Sequence, residues 1–179
     1  MLTIHIPATE KYDSENNEFY MTKECTLQLE HSLVSVSKWE AKWQKPFLTK
    51  EPRSVEETVD YIRCMTITQN VNPDVYYSIL QSDIKRIGEY IDSPQTATKI
   101  NSSKKKASRQ IVTSELIYYW MISLNIPMEC QKWHLNRLLT LIDVCNIKNT
   151  PSKKMTKAET LNQNAALNAS RRKQLGTTG

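Results

Sequence analysis

The sequence predicts a mainly α-helical protein with a small antiparallel β-sheet at its N-terminus, which is an α+β arrangement. The chain has 179 residues and only 3 glycines, too few for the many tight turns of a β-sandwich. From residue 32 onward, apolar residues recur at three- and four-residue steps, the spacing of a helix with one buried face. Before that point they alternate with polar residues in short runs, which is typical of strands.

The first 31 residues predict the small sheet. Leu2–Ile6 alternates apolar and polar side chains before Pro7, and residues 18–21 and 25–30 form two further strand-like runs. The polar residues 9–17 predict a loop or turn. Because a sheet of two or three short strands is marginal on its own, we expect it to pack on a helix.

Residues 32–94 predict three helices, and the first begins at Ser32, a good N-cap residue, and stops at Pro46. Trp39 and Trp43 are four residues apart and therefore share one face of it. Packing of both tryptophans in the core explains such a pair. The alternative is that they line a hydrophobic groove that binds a segment of a partner. Base stacking between neighbouring lysines is a weaker third interpretation, because the surrounding residues are acidic.

The second and third helices have clear start signals. The run Ser54-Val55-Glu56-Glu57 has the pattern of a capping box, and its helix is expected to end near Asn70. Asn72-Pro73-Asp74 combines an N-cap, a proline at the first helical position and an acidic first turn. The third helix then has an apolar stripe and ends at Pro94; the stripe is Tyr76, Leu80, Ile84, Ile87 and Ile91.

The densest apolar periodicity lies in residues 113–149 and predicts a helical hairpin. We expect two helices joined at Asn125-Ile126-Pro127, with Pro127 in the first turn of the second, because proline cannot continue the first. Residues 1–149 are thereby predicted to form one mainly helical globular domain with this hairpin at its core.

The C-terminal half is basic, although the net charge of the whole chain is only +5. Residues 1–98 hold 10 Lys and Arg against 15 Asp and Glu, whereas residues 99–179 hold 14 against 4. We predict a mobile basic loop over residues 95–110 and a weakly anchored helical tail over residues 150–179. An acidic partner, nucleic acid or plain solvation would each suit this charge. The basic side chains concerned are Lys104, Lys105, Lys106, Lys153, Lys154, Arg171, Arg172 and Lys173.

The sequence contains no motif for catalysis, metal binding or a cofactor, so we expect a non-enzymatic protein with none of these. Cys130 and His134 are four residues apart and are the nearest approach to a nucleophile and its base. A position between core and solvent is the simpler explanation for His134. The four cysteines are too widely spaced for a zinc site, and we expect reduced, mostly buried thiols. No apolar run reaches the roughly 20 residues of a membrane span, and no secretory signal is visible.

A DNA-reading helix is an alternative use of the hairpin. In that case Lys132, Asn136 and Arg137 would contact the groove and the basic tail would bind the backbone. The turn between the helices has no glycine, however, and the second helix also carries Glu129 and Asp143. These features make DNA reading the weaker alternative.

Several stretches resemble proteins from the tail gene region of tailed bacteriophages, the group of tail-assembly chaperones and minor tail proteins. They are ELIYYWMISLNIPMECQKWHLNRLLTLIDVCNIKN, TLQLEHSLVSVSKWEAKWQKPF, DYIRCMTITQN, KKM and NAALNASRRKQL, which together cover most of the chain. The resemblance implies a late viral protein that acts in the host cytoplasm, or stays in the virion, and binds the tape measure protein or other tail subunits.

The resemblance also implies how binding would work. A tape measure protein is a long, apolar, helical chain that aggregates unless it is covered, and a chaperone would hold its amphipathic segments by helix-in-groove contacts. Large aromatic side chains suit such anchoring, and we therefore expect the four tryptophans to contact the partner while the basic tail adds charge attraction. The tryptophans are Trp39, Trp43, Trp120 and Trp133.

Overall fold

The protein is mainly helical with a small antiparallel β element at its N-terminus, as predicted. A computed structural model describes residues 1–13, 17–49, 51–100, 110–150 and 157–176. The chain divides into two compact units, Met1–Asn146 and Ile147–Gly179. Within the described ranges, no helix is both long and apolar enough to cross a bilayer.

In the part of the chain that the structure describes, four short strands form two separate two-stranded ladders. Strand β1 (Leu2–Ile6) pairs antiparallel with β4 (Cys25–Leu29), and β2 (Glu10–Asp13) pairs antiparallel with β3 (Glu18–Met21). The predicted strands β1, β3 and β4 are confirmed. The prediction of a loop over residues 9–17 is wrong for β2, because pairing with β3 extends a polar segment that has no strand pattern of its own.

The β1–β4 ladder supplies one wall of the core. Ile4 lies opposite Leu27 on its inner face, and Ile4, Ile6, Leu27 and Leu29 are all buried. Burial of each such side chain contributes about 1.5–3 kcal/mol. The opposite face of the ladder is exposed, as the alternation predicts.

Helices α1 (Leu33–Trp43) and α2 (Val55–Met65) begin where the sequence predicts. Ser32 and Ser54 both form capping boxes, so two backbone N–H groups are satisfied at each start. Helix α2 ends at Met65 rather than near Asn70. The residues after it turn to pair with β4, and the Ile67 N–H donates to the Gln28 carbonyl at 2.8 Å.

The structure divides the predicted third helix into two elements. A 3-10 helix spans Pro73–Ser78 with Asn72 as its N-cap, and α3 spans Gln81–Asp92. The chain is extended at Leu80, whose side chain is exposed instead of lying in the apolar stripe. Ile87 is the fully buried member of that stripe on α3.

The hairpin has a longer joint than predicted. Helix α4 spans Ser114–Ser123, a 3-10 helix covers Met128–Lys132, and α5 spans Leu135–Asn149. The second α-helix therefore starts at Leu135 and not at Pro127. His134 forms a β-bridge with Ser32 instead, and the extended backbone of a bridge delays the helix.

The second unit contains helix α6 (Lys157–Leu175), and Gly176 follows it with a φ of 64°. Its described side chains are exposed. Residues 151–156 of the predicted tail lie outside the described residues. The same holds for residues 101–109 of the predicted basic loop.

Candidate protein-docking groove

The first unit carries an open, largely apolar groove of about 530 Å³. It lies between α4, α5 and the segments that precede α2 and α4. Pockets of this size accept a drug-sized ligand or a few side chains of a partner. Its lining residues are Leu48, Thr49, Gln110, Ile111, Val112, Trp120, Leu139, Ile142 and Asp143.

Helix α4, which carries Trp120, is held at its N-terminus by a buried carboxylate on α1. The two oxygens of Glu40 accept the backbone N–H groups of Ser114 and Phe47, each at 2.7 Å. Thr113 makes no side-chain capping bond. Glu40, which precedes Ser114 by 74 residues in the sequence, supplies the missing acceptor. A negative charge at this position also favours the helix dipole. Trp120 is thus positioned by a contact that no local pattern reveals.

Helix α5, the opposite wall, is fixed at its start by polar contacts to the end of α3. The side-chain amide of Asn136 donates to the carbonyls of Ile91 and Ser93 at 2.8 and 2.9 Å. The Leu135 N–H donates to the His31 carbonyl at 2.7 Å. On the same helix, Leu135 and Leu138 are completely buried. Both walls therefore rest on the core, and the groove is preformed.

The groove exposes apolar surface at its rim. Ile111 is 61% exposed and Leu48 is 38% exposed, while Trp120 and Leu139 are half-buried and pack on the core. Large apolar side chains left in water around a concave surface are typical of sites that a partner covers.

The two tryptophans of α1 have structural partners. Trp39 is 2% exposed, and its indole N–H donates to the Glu57 carbonyl at 2.9 Å. Trp43 is half-buried, and its indole N–H donates to the Asp60 carboxylate at 3.0 Å. Trp39 is therefore a core residue, which corrects its assignment as a partner anchor, and a partner would reach it only if α1 and α2 separated.

The remaining tryptophan, Trp133, lies outside the groove. Its ring is half-buried, and the Arg137 guanidinium stacks on it at 4.2 Å. Asn136, the predicted base-reading residue beside it, already uses its amide N–H groups within the protein. Of the four predicted anchors, Trp120 is the one that lines the groove.

The predicted basic residues fall in two groups. Lys104, Lys105 and Lys106 lie outside the described residues, as do Lys153 and Lys154. The other three, Arg171, Arg172 and Lys173, are exposed near the C-terminal end of α6 in the second unit. Positive charges in the last turns of a helix interact favourably with the negative end of its dipole.

The structure does not place Cys130 and His134 on one helix. Cys130 is buried in the 3-10 helix, and burial raises the pKa of its thiol, with a further contribution from Glu129. The His134 ring contacts the Tyr90 carbonyl at 3.0 Å and the Asn136 N–H at 3.3 Å instead. A thiol with a raised pKa is a poor nucleophile at neutral pH. In the described part of the chain, no three His, Cys, Asp or Glu side chains are arranged to hold a metal.

The sequence analysis did not predict two features of the structure. The first is Glu40, whose burial could not be read from a polar position on an amphipathic helix. The second is an exposed apolar face on the β2–β3 hairpin, formed by Tyr12, Phe19 and Met21. The run Phe19-Tyr20-Met21 was the available signal, because three consecutive large apolar residues cannot all point into one core from a strand.

Comparison with protein-family models, with curated proteins and with solved structures found no match to this chain. Functional inference therefore rests on the groove, on the charge distribution and on the resemblance described above.

Proposed function

We propose that this protein is a non-enzymatic tail-assembly factor of a tailed bacteriophage, which binds the tape measure protein or another tail subunit in the host cytoplasm. The resemblance of most of the chain to the tail-assembly group supports the phage assignment. The preformed apolar groove beside Trp120 is the observation that supports binding of a partner protein.

The groove suits an amphipathic helix better than a rigid globular surface. Its walls are helices α4 and α5, and Leu139 and Ile142 of α5 give it apolar surface. A client helix with apolar residues at three- and four-residue spacing places one large side chain next to Trp120 and others along the rim. A tape measure protein is rich in such segments, so a groove that covers them in turn would limit its aggregation.

The proposal is tested by co-expression with the tape measure protein encoded in the same tail gene region. We expect the soluble fraction of the tape measure protein to rise and the two chains to co-purify. An unchanged soluble fraction, with no co-purification, would contradict the proposal.

Two variants locate the binding surface. Trp120→Ala removes the central aromatic side chain, and loss of such an anchor typically weakens binding by about 30-fold or more, for roughly 2 kcal/mol. Ile111→Asp places a charge on the rim, where the exposed position makes unfolding a minor concern. Ile67→Asp is the matched control, because Ile67 is 52% exposed but lies away from the groove. Equal binding by Ile111→Asp and Ile67→Asp would assign the client to another surface.

Nucleic-acid binding by the basic C-terminal half is the second candidate, and the exposed Arg171, Arg172 and Lys173 of α6 favour it. Binding to duplex DNA would then weaken steeply with salt, with a slope of about 0.9 for each phosphate contacted. Replacing these three residues with alanine should lower that slope. Absence of binding at low salt would exclude this function while leaving the groove proposal intact.

A further inference from the structure

One side of the groove is formed by a segment that is neither helix nor strand. Leu48 and Thr49 line the groove and belong to residues 44–49, a segment after α1 that we call the strap. The strap begins at Gln44, whose φ of 54° is the left-handed conformation that commonly ends a helix. Because no regular element holds the strap, its position depends on a few side chains.

Phe47 anchors the strap in the core. It is 3% exposed, and its ring centroid lies 4.0 Å from that of Tyr61 and 5.2 Å from that of Trp39. Leu48, the next residue, is exposed, so Phe47 supplies the buried contact of the strap. Packed cores favour discrete arrangements over gradual deformation. The strap is therefore either docked through Phe47 or released.

Arg53 covers the anchor from the solvent side. Its guanidinium lies over the Phe47 ring at 3.9 Å and donates a hydrogen bond to the Phe47 carbonyl. Arg53 itself is exposed, so it holds the ring and the backbone of Phe47 without being part of the core. Loss of the Arg53 side chain would weaken the docking of the strap and would leave no cavity in the core.

Glu40 links the strap to another side of the groove. One of its carboxylate oxygens accepts the Phe47 N–H and the other accepts the Ser114 N–H. Withdrawal of Phe47 removes one of these donors from a buried carboxylate, and a buried charge with fewer hydrogen bonds is unfavourable. Release of the strap therefore also weakens the hold of Glu40 on the start of α4, the helix that carries Trp120.

We propose that the strap is a movable wall that controls the width of the groove. With Phe47 docked, Leu48 and Thr49 narrow the groove; with Phe47 withdrawn, they leave the lining and the groove widens. Segments held by few buried contacts open at a lower free energy than the whole protein unfolds. The use of the wider form to admit a client helix rests on the function proposed for the groove, and such a client would shift the population towards that form.

Amide hydrogen exchange of the full chain, followed by NMR, tests the motion without a client. Arg53→Ala removes the stacking and the charged hydrogen bond, so the amides of Phe47 and Ser114 should exchange about tenfold faster. The Leu135 amide donates to a carbonyl that precedes α1, and its exchange rate should not change, because its acceptor is independent of the strap.

Arg63→Ala is the matched control. Arg63 is an exposed arginine of α2, and its guanidinium lies over the buried Tyr76 ring at 5.7 Å, away from the strap. The substitution removes the same charge and a similar contact, and it should leave the exchange of the Phe47 and Ser114 amides unchanged. Phe47→Ala is less informative, because the cavity that it leaves would destabilise the whole core.

A thiol in the groove shows whether release of the strap widens the groove. Ile142 lines the groove and is 3% exposed, so Ile142→Cys reports exposure at that position through its labelling by iodoacetamide. Adding Arg53→Ala should raise the labelling rate at position 142 about tenfold, in line with the larger open population. Cys130, buried in the 3-10 helix, is the internal control in the same peptide map and should keep its rate.

Four results would overturn the proposal. They are unchanged exchange of the Phe47 amide in Arg53→Ala, faster exchange at Phe47 without faster exchange at Ser114, equal acceleration at Leu135, and labelling at position 142 that rises no more than labelling at Cys130. None of these measurements involves the client. Loss of client binding would therefore contradict the proposed function and would leave the motion of the strap standing.

Discussion

The stability of this protein should fall between pH 7 and pH 5 because two neutral histidines are buried in its core. His31 and His134 are almost fully buried, with ring centroids 5.0 Å apart. The His134 Nε2 lies 3.0 Å from the Tyr90 carbonyl, so this nitrogen carries the proton and donates. Its Nδ1 then accepts the Asn136 N–H. Protonation of Nδ1 would turn this nitrogen into a donor, and its N–H would then face the Asn136 N–H, which is also a donor.

The buried surroundings of His31 likewise disfavour its protonated form. Its Nδ1 contacts the Tyr61 hydroxyl, and burial raises the pKa of that phenol. Burial lowers the pKa of His31 to about 3, with further contributions from His134 and from Arg53. Burial also lowers the pKa of His134, although the Tyr90 carbonyl and Glu30 oppose this shift.

The direction of the pH effect follows from the lowered pKa values. In the unfolded chain a histidine has a pKa of about 6.5, so below that pH the unfolded state binds more protons than the folded state. The free energy of unfolding therefore decreases as pH falls from about 6.5 towards 3. At pH 5 His31 alone accounts for a loss of about 2 kcal/mol, and a loss of that size lowers Tm by roughly 4–8 °C in a chain of this length.

The assay is urea denaturation followed by circular dichroism at half-unit steps between pH 7 and pH 5, a range above most carboxylate titration. His31→Gln keeps an acceptor near Tyr61 and removes the titration, so its free energy of unfolding should depend less on pH. His5→Gln is the control, because His5 lies on an exposed surface next to Thr26. Equal stability of the unmodified chain at pH 7 and pH 5, or equal slopes for both variants, would refute the reasoning.

Three further outcomes are expected from contacts and burial elsewhere in the first unit. Glu40→Gln should lower the free energy of unfolding by about 1–3 kcal/mol in urea denaturation, because an amide N–H₂ would face one of the two backbone donors. Glu51→Gln, at an exposed position before α2, should change it little. Asn136→Ala should lower the free energy of unfolding by about 1–3 kcal/mol, because the two carbonyls at the end of α3 lose their donor; an unchanged free energy of unfolding would show that water replaces the amide. Cys130 should react with iodoacetamide more slowly than a free cysteine at pH 8, measured by mass spectrometry, whereas rapid labelling would indicate an activated thiol.

Local sequence patterns predicted the elements well where the responsible contacts are local. The N-cap at Ser32 and the capping box at Ser54 involve residues at most three positions apart, so the local sequence reveals both. The alternation in β1 and β4 likewise identifies their buried faces, because side chains in a strand point alternately to its two sides.

The candidate site was predictable only in part. The expectation that large aromatic side chains anchor a partner included Trp120, and that residue does line the groove. The same argument applied equally to Trp39, which is buried behind α2. Periodicity shows which residues share a helix face, but it does not show whether that face meets another helix or solvent.

By itself, then, the sequence determined the class of fold, the starts of α1 and α2 and the inward faces of β1 and β4, since each depends on residues a few positions apart. Tertiary structure decided the early end of α2, the late start of α5 and the formation of β2. Each of these depends on a hydrogen bond or bridge between distant segments, such as Ile67 with Gln28 or His134 with Ser32. Tertiary structure also decided the groove, because a concave surface exists only once separate elements are packed together.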